Sequence, residues 1–446
     1  MKKRIAFISE HASPLAVLGG VDNGGQNVYV AELAREIARK GYLVDVFTRK
    51  DNAEVPEVVN WLQGVRVINV KAGPEVFVEK ERLLQYMNEF TDNMHRFMRE
   101  QHIRYDIMHA NFFMSALVAS NIKKRTGIPY VVTFHALGLV RLAHQKEMDK
   151  FPVERFHIER MIVKDADQLI AECPQDRDDL VHYYDADINK ISIVPCGFNP
   201  KEFNVIDKTV ARKQLGLSNH ETILLQLGRM VPRKGIDNVI RSLSKISSGL
   251  QNMRLLVVGG ESDTADENLT PEIGRLKKIA EEENVSGHVT FTGRKRRDVL
   301  KYFYAASDIF ITTPWYEPFG ITPLEAMACG TPVIGANVGG IKYSVEDGKT
   351  GFLVAPKDPV ALAKKIERLL ADPSLMASMK KNAVKRVHKF FTWKIVAESV
   401  SNLYENIIPA YRKQPQPGKR ILLPEFSLKD VENVLNESFL ARLKPQ

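Results

Sequence analysis

Two glutamates with seven residues between them frame the segment Glu317-Pro318-Phe319-Gly320-Ile321-Thr322-Pro323-Leu324-Glu325. An apolar run ends near Thr313 and a helix-period stretch follows. That places Glu317 in a loop and Glu325 just inside a helix whose first turn takes Pro323. A loop carboxylate can accept paired hydrogen bonds from sugar hydroxyls, and one on the helix can reach a ribose. A charged hydrogen bond of this kind contributes about 1.5–3 kcal/mol. Gly320 frees the N–H groups of its neighbours to meet hydroxyls. A helix-start glutamate beside a solvated one would account for the same pair, but the intervening Pro, Gly and Pro weigh against it.

Upstream, Gly228-Arg229 ends an apolar run and Lys234-Gly235 opens the next helical stretch. Two cations at the carboxyl end of a parallel strand, beside a helix N-terminus, make a diphosphate site. Two solvated surface cations remain the alternative at this level. Near the start of the chain, Gly19-Gly20-Val21-Asp22-Asn23-Gly24-Gly25-Gln26-Asn27 joins the first strand to the first helix. A helix N-terminus there offers N–H groups and a positive dipole end to an anion. The spacing is not G-x-G-x-x-G, and a plain flexible turn would satisfy the loop taken alone.

The elements that must hold these residues are legible as alternation. Apolar runs at Arg4–Ser9, Val44–Thr48, Val65–Val70, Ile107–Ala110, Tyr130–Phe134, Gln168–Ala171 and Ile191–Val194 are separated by helix-period stretches. The pattern restarts at Ile223–Leu227 and continues through Leu255–Val258, Val289–Thr292, Ile309–Thr312 and Pro332–Gly335. Strands separated by helices predict an α/β fold with parallel sheets covered on both faces. Two such series predict two Rossmann-like domains, residues 1–200 and 201–390, hinged within 195–220. Residues 391–446 are predicted as C-terminal helices that cross back to the N-terminal domain. Thr392 is the expected N-cap of the first. Ser427 to Leu443 reads as a last helix after the Pro- and Lys-rich stretch 413–424.

The order Gly24-Gly25, Gly228-Arg229 with Lys234-Gly235, then Glu317-x7-Glu325, Gly330-Thr331-Pro332-Val333 and Gly339-Gly340 resembles the retaining family-4 glycosyltransferases. The resemblance runs from about residue 3 to 410. It implies the GT-B fold, two Rossmann-like domains facing across a cleft, and a nucleotide-sugar donor. By position, Gly24 and Gly25 would approach the donor phosphates, Arg229 and Lys234 would hold the diphosphate, and Arg294 falls where the base is bound. Glu317, with backbone N–H groups at Phe319, Gly320 and Ile321, would bind the donor sugar, and Glu325 the ribose. His135, in Thr133-Phe134-His135-Ala136-Leu137-Gly138, matches the family's active-site histidine. Asp22 to Val30 most resembles the sucrose-phosphate synthase and D-inositol-3-phosphate glycosyltransferase branches, whose acceptors are phosphorylated. Arg141 and Arg155 would then meet an acceptor phosphate, with Asn27 and Lys80 beside them. Ala136 departs from the hydroxyl residue those branches place after the histidine.

Composition narrows the remaining classes. The 446 residues carry 63 basic and 54 acidic side chains, net +9, spread thinly apart from the run Arg294-Lys295-Arg296-Arg297. That pattern suits solvated surface plus a phosphate site. Nucleic-acid binding is not expected, since interleaved aromatics, zinc-finger spacing and an RNA-binding signature are missing. The three cysteines have neither paired nor metal-type spacing, which fits a reducing cytoplasm. Asp165/Asp167, Asp176/Asp178 and Asp185/Asp187 read as solvated faces, so the expectation is metal-independent transfer without a cofactor. Its partners are a nucleotide sugar, UDP-linked by the resemblance, and a small hydroxyl acceptor. A nucleotide-sugar epimerase on the same scaffold and an enzyme docked on an anionic membrane surface with a lipid acceptor are the alternatives.

Overall fold

The computed structural model describes residues 2–16, 24–146 and 149–412. The predicted helix at 427–443, the stretch 413–424 and most of the glycine loop before Gly24 lie outside them. The chain divides into two compact units: Met1–Ala16, Gln26–Val194 and Ala397–Gln446 form the first, and Val17–Gly25 with Pro195–Val396 the second.

The first unit holds an eight-stranded sheet of β1 (Arg4–Ile8), β2 (Leu43–Arg49), β3 (Val58–Leu62), β4 (Val65–Val70), β5 (Ile107–Asn111), β6 (Tyr130–Thr133), β7 (Gln168–Ala171) and β8 (Ile191–Ile193). Their order is β3-β4-β2-β1-β5-β6-β7-β8. The ladders are parallel apart from β3, which pairs antiparallel with β4 at the edge. Central strands buried on both faces need continuous apolar runs. Ile5 to Ile8 in β1 and Ile107, Met108 and Ala110 in β5 are solvent-free. The predicted strands are all present. β3 was not expected, because Val-Val-Asn-Trp-Leu at a half-exposed edge has neither a long apolar run nor strict alternation.

Polar His109 sits inside β5 without solvent contact. Its Nδ1 lies 2.6 Å from the Tyr404 hydroxyl and its Nε2 2.9 Å from Thr133 Oγ1. Burial, then the nearby His135, pushes its pKa down to about 3, so the ring stays neutral. Tyr404 belongs to the helix Trp393–Arg412, whose first turn is capped by Thr392 Oγ1 accepting from the Ile395 N–H at 3.4 Å. That part of the C-terminal helix from Ala397 onward groups with the first unit.

The second unit holds a six-stranded parallel sheet of β9 (Thr222–Leu227), β10 (Met253–Val258), β11 (Val289–Gly293), β12 (Ile309–Thr312), β13 (Val333–Ala336) and β14 (Gly351–Val354), in the order β11-β10-β9-β12-β13-β14. β14 is the strand the sequence concealed: four residues opening on a glycine. Its Gly351 packs so closely that a Cβ would lie 2.2 Å from the Val333 carbonyl oxygen. In each sheet the chain builds outward from the first strand, returns, and continues on its other side, between β1 and β5 and between β9 and β12. Ligands of open parallel sheets bind outside the carboxyl ends of the strands at such a reversal.

No helix among the described residues is long and apolar enough to cross a membrane.

Candidate active site

In the second unit, β9 and β12 deliver the expected residues to one place. After β9 the chain passes Gly228 and Arg229 and turns through a short helical segment, Pro232–Lys234. Gly235 ends that segment at φ +65°, and a Cβ there would lie 2.0 Å from the Thr313 carbonyl oxygen just beyond β12. Thr313 Oγ1 donates to the Gly235 carbonyl at 3.0 Å. This close approach brings Lys234 against the loop that leaves β12, and Lys234 Nζ pairs with Glu317 Oε2 at 2.5 Å. Arg233, which the sequence reading passed over, lies 3.7 Å from the same oxygen and over the Tyr316 ring at 5.2 Å. The signal was present: Arg233 stands beside Lys234 in a Pro-Arg-Lys-Gly turn.

The Lys234 and Glu317 side chains are only 20% and 13% exposed, so their charges act in a poorly solvated setting. Burial, reinforced by Arg233 and Arg229, outweighs the pull of Glu317 and lowers the Lys234 pKa to about 8. Burial alone would raise the Glu317 carboxyl. Lys234, Arg233 and Arg229 together hold it below the usual glutamate value. Cations gathered about this carboxylate suit an anionic ligand.

The pair Gly339-Gly340 explains how Glu317 is seated. A Cβ on Gly339 would lie 1.8 Å from the Glu317 carbonyl oxygen, and one on Gly340 2.3 Å from Phe319 Cα. The Gly340 N–H donates to the carbonyls of Glu317 and Pro318 at 3.3 and 3.1 Å. Phe319 is buried, Gly320 caps the helix Ile321–Ala328, and Glu325 lies within that helix at 2% exposure. Arg297 Nη1 donates to Glu325 Oε1 and the Tyr304 hydroxyl to Oε2, both at 2.9 Å, yet burial still raises the Glu325 pKa. Arg297 Nε also donates to Glu202 at 2.7 Å and its guanidinium lies 4.9 Å from the Phe203 ring. The basic run therefore splits by role. Arg297 is tied to Glu325, Arg296 is exposed, and Arg294 Nε reaches Asp263 at 3.4 Å with 28% of its side chain exposed.

The first unit assembles a different group at its strand ends. His135 follows β6 in a left-handed backbone conformation, φ +58°. Its Nδ1 lies 3.0 Å from Glu172 Oε1, just past β7, and its Nε2 3.1 Å from Asn111 Oδ1 at the end of β5. The Asn111 amide is oriented by Nδ2 donating to the carbonyls of Ile8 and His109 at 3.3 Å each. The Tyr29 ring meets His135 edge-on at 4.7 Å. Beyond β1, Glu10 is buried between Ser115 and His11, with Oε1 2.7 Å from His11 Nδ1. Sequence reasoning missed Glu10, His11, Asn111 and Glu172. Each is a polar residue at the carboxyl end of a predicted parallel strand, which is the signal that could have found them.

The four expected acceptor contacts are not brought together by one motif. Asn27 is buried and donates to the Ser13 carbonyl at 3.0 Å. Lys80, in the segment Lys80–Arg82, lies 3.5 Å from Glu81. Arg141 pairs with Asp149 through Nε and Nη2 at 3.2 and 3.0 Å. Arg155 has no exposed surface and pairs with Glu159 at 2.7 Å, which turns it away from the acceptor role the resemblance implies. Gly24 and Gly25 stand at the N-terminal end of the helix Gly25–Arg39. The Asp-x-Asp pairs depart only in part from the reading as solvated faces, and Asp178 is exposed. Asp167 binds Lys123 and the Tyr130 N–H, Asp165 the Tyr130 hydroxyl, and Asp176 the Glu172 N–H, whereas Asp185 and Asp187 are exposed.

Family comparison agrees with both halves. The Glycosyltransferase Family 4 model matches residues 23–202 and the Glycosyl transferases group 1 model residues 207–386. A D-inositol 3-phosphate glycosyltransferase of Corynebacterium jeikeium is 35% identical over 93% of this chain and 100% of its own length. One from Acidothermus cellulolyticus is 36% identical over 92% of each. The solved sucrose-phosphate synthase of Thermosynechococcus elongatus superposes with a TM-score of 0.84 at 34% identity, covering 92% of this chain and all of that one. The Anabaena protein Alr3699/HepE, solved with UDP-glucose, shares the fold at TM-score 0.71 and 19% identity, over 91% of this chain and all of its own.

Proposed function

Since the chain belongs to the family-4 glycosyltransferases and has their GT-B fold, we propose that it moves a hexosyl unit with retention from a UDP-sugar to a hydroxyl of a small acceptor. The observation that carries this reading is the Lys234–Glu317 pair, with Arg233 and Arg229 acting on it, at the reversal between β9 and β12.

In this reading the donor's C1–O bond breaks and its electron pair passes to the diphosphate. Arg229, Lys234 and Arg233 are already in place for that charge and need no reorganisation when it develops. The acceptor oxygen forms the new bond to C1 on the same face and passes its proton to a diphosphate oxygen, so no protein base is assigned. Glu317, released from part of its contact with Lys234 by the arriving anion, accepts from donor-sugar hydroxyls, with N–H groups of Phe319, Gly320 and Ile321 beside it. Glu325, oriented by Arg297 and Tyr304, accepts from the ribose, and Arg294 lies at the base. Gly24 and Gly25 are assigned to the phosphates, and His135 to the transferred sugar. No metal or cofactor takes part.

The relatives' names support a phosphorylated acceptor, for which Arg141 and Lys80 supply the cations and Asn27 a hydrogen bond. The test is nucleotide release from UDP-glucose, UDP-N-acetylglucosamine and GDP-mannose, with and without inositol 3-phosphate, hexose phosphates and unphosphorylated inositol. Acceptor-stimulated release of UDP with an axial-to-axial product anomer, read by NMR, is expected. Inverted product, or no release from any donor, would end the reading.

A further inference from the structure

The residue first expected to hold an acceptor phosphate does something else, and its neighbours say what. Arg155 and Glu159 are both wholly buried and face each other one turn apart on the helix Glu154–Asp165. The guanidinium lies over the rings of Phe112, Phe113 and Phe151 at 4.9, 4.8 and 4.6 Å. An ion pair taken out of water is a weak source of stability, because desolvation offsets most of the attraction. This one is instead placed to hold a particular piece of backbone.

That piece is the turn running from His135 into the helix Gly138–Gln145. Arg155 Nη2 donates to the Ala136 carbonyl. The Gly138 N–H donates to Glu159 Oε2 at 2.9 Å and Oε1 at 3.2 Å, and the Leu139 N–H donates to the Tyr184 hydroxyl at 2.9 Å. Tyr184 in turn donates to Glu159 Oε2. Leu137, the N-cap of that helix, has no side-chain oxygen to cover the first N–H groups, so Glu159 and Tyr184 do so from other helices. The fit at Gly138 is close: a Cβ there would lie 2.9 Å from both Arg155 Nε and Glu159 Oε2, so a larger residue would displace the pair. Immediately before this clamped turn, His135 adopts a left-handed conformation that a non-glycine residue keeps only when its surroundings impose it.

We infer that Arg155, Glu159 and Tyr184 are positioning residues, a buried clamp on residues 136–139 that holds His135 in its left-handed conformation with its ring between Glu172 and Asn111. This rests on the proposed role of His135 for its consequence in catalysis, but the placement of the ring is testable without it. Tyr184→Phe removes one hydroxyl from a buried site of unchanged shape, and Glu159→Gln keeps the shape while removing the charge. Each is examined for the His135 ring signals in nitrogen-15 histidine spectra, assigned with His135→Gln, and for kcat and donor affinity. Expected are shifted and broadened His135 signals in both variants and a kcat lowered about 3- to 10-fold in Tyr184→Phe, the effect of one hydrogen bond, with the donor Kd unchanged within about twofold. Unaltered His135 signals in folded Tyr184→Phe would overturn the clamp. Should Glu159→Gln not fold, Tyr184→Phe decides alone. If the signals move but kcat does not, the clamp stands and the proposed role of His135 falls.

Discussion

The two units use their charged and polar side chains differently. In the second unit, Arg233 and Lys234 lie at Glu317 Oε2, and their charges, with that of Arg229, hold its carboxyl below the usual glutamate value. In the first, Arg155 faces Glu159 and the His135 ring lies between Glu172 and Asn111. Cations gathered in a poorly solvated place favour an anion. Internal matching is how a protein fixes the direction of side chains and backbone. The cations around Glu317 are suited to binding, and the groups around Arg155 and His135 to aiming.

The contrast is broken most severely by removing one of the cations beside Glu317. Lys234→Ala is expected to lower kcat/KM for sugar transfer about 100- to 1,000-fold, the cost of losing one preorganised donor to developing charge. Its melting temperature should stay near wild type, since Arg233 still faces Glu317; steady-state kinetics with calorimetric melting checks both. Glu317→Gln is expected to cost about 10- to 100-fold in kcat, one charged hydrogen bond, which single-turnover measurements separate from donor binding. Gly235→Ala should cost about 1–3 kcal/mol in stability, from its φ of +65° and the collision with the Thr313 carbonyl, readable as a lower urea midpoint.

Protonation sharpens the same comparison. Lys234 titrates at about 8 rather than the ordinary 10.5, because burial disfavours its charge. Between those two values the folded chain binds fewer protons than the unfolded one, so the lysine's contribution to stability improves as pH rises through that window. Function runs the other way. Only the ammonium attracts a diphosphate, so donor affinity should fall as pH climbs past about 8, and UDP binding there should take up a proton. Calorimetry in buffers of different ionisation enthalpy measures that uptake. The smallest effect is expected from Arg294→Ala, a partly exposed side chain paired at 3.4 Å. A change of about threefold in donor KM is consistent with a partly solvated charge.

The same contrast governs what was legible in the sequence. The parallel strands could be read because buried central strands must be apolar throughout, and only edge strand β3 and the short, glycine-led β14 escaped. Glu317 and Glu325, Lys234 and the glycine pair 339–340 stand in short motifs whose spacing betrays them. Arg233 hid beside Lys234 because adjacent cations look like surface. Glu172 and Asn111 come from separate strand ends and meet at His135 only through the sheet order, which no spacing displays. Arg155 misled for a related reason: a lone arginine after the histidine motif looks available until Glu159, one turn further on, is seen to face it.

The central claim is that the Lys234–Glu317 pocket of the second unit holds the diphosphate of a sugar nucleotide. Titration calorimetry of wild type, Lys234→Ala and Glu317→Gln with UDP and UDP-glucose tests it directly. The account predicts that wild type binds both ligands, that Lys234→Ala loses affinity for both alike, and that Glu317→Gln loses affinity only for the ligand carrying the sugar. Equal binding of UDP by wild type and Lys234→Ala would contradict it.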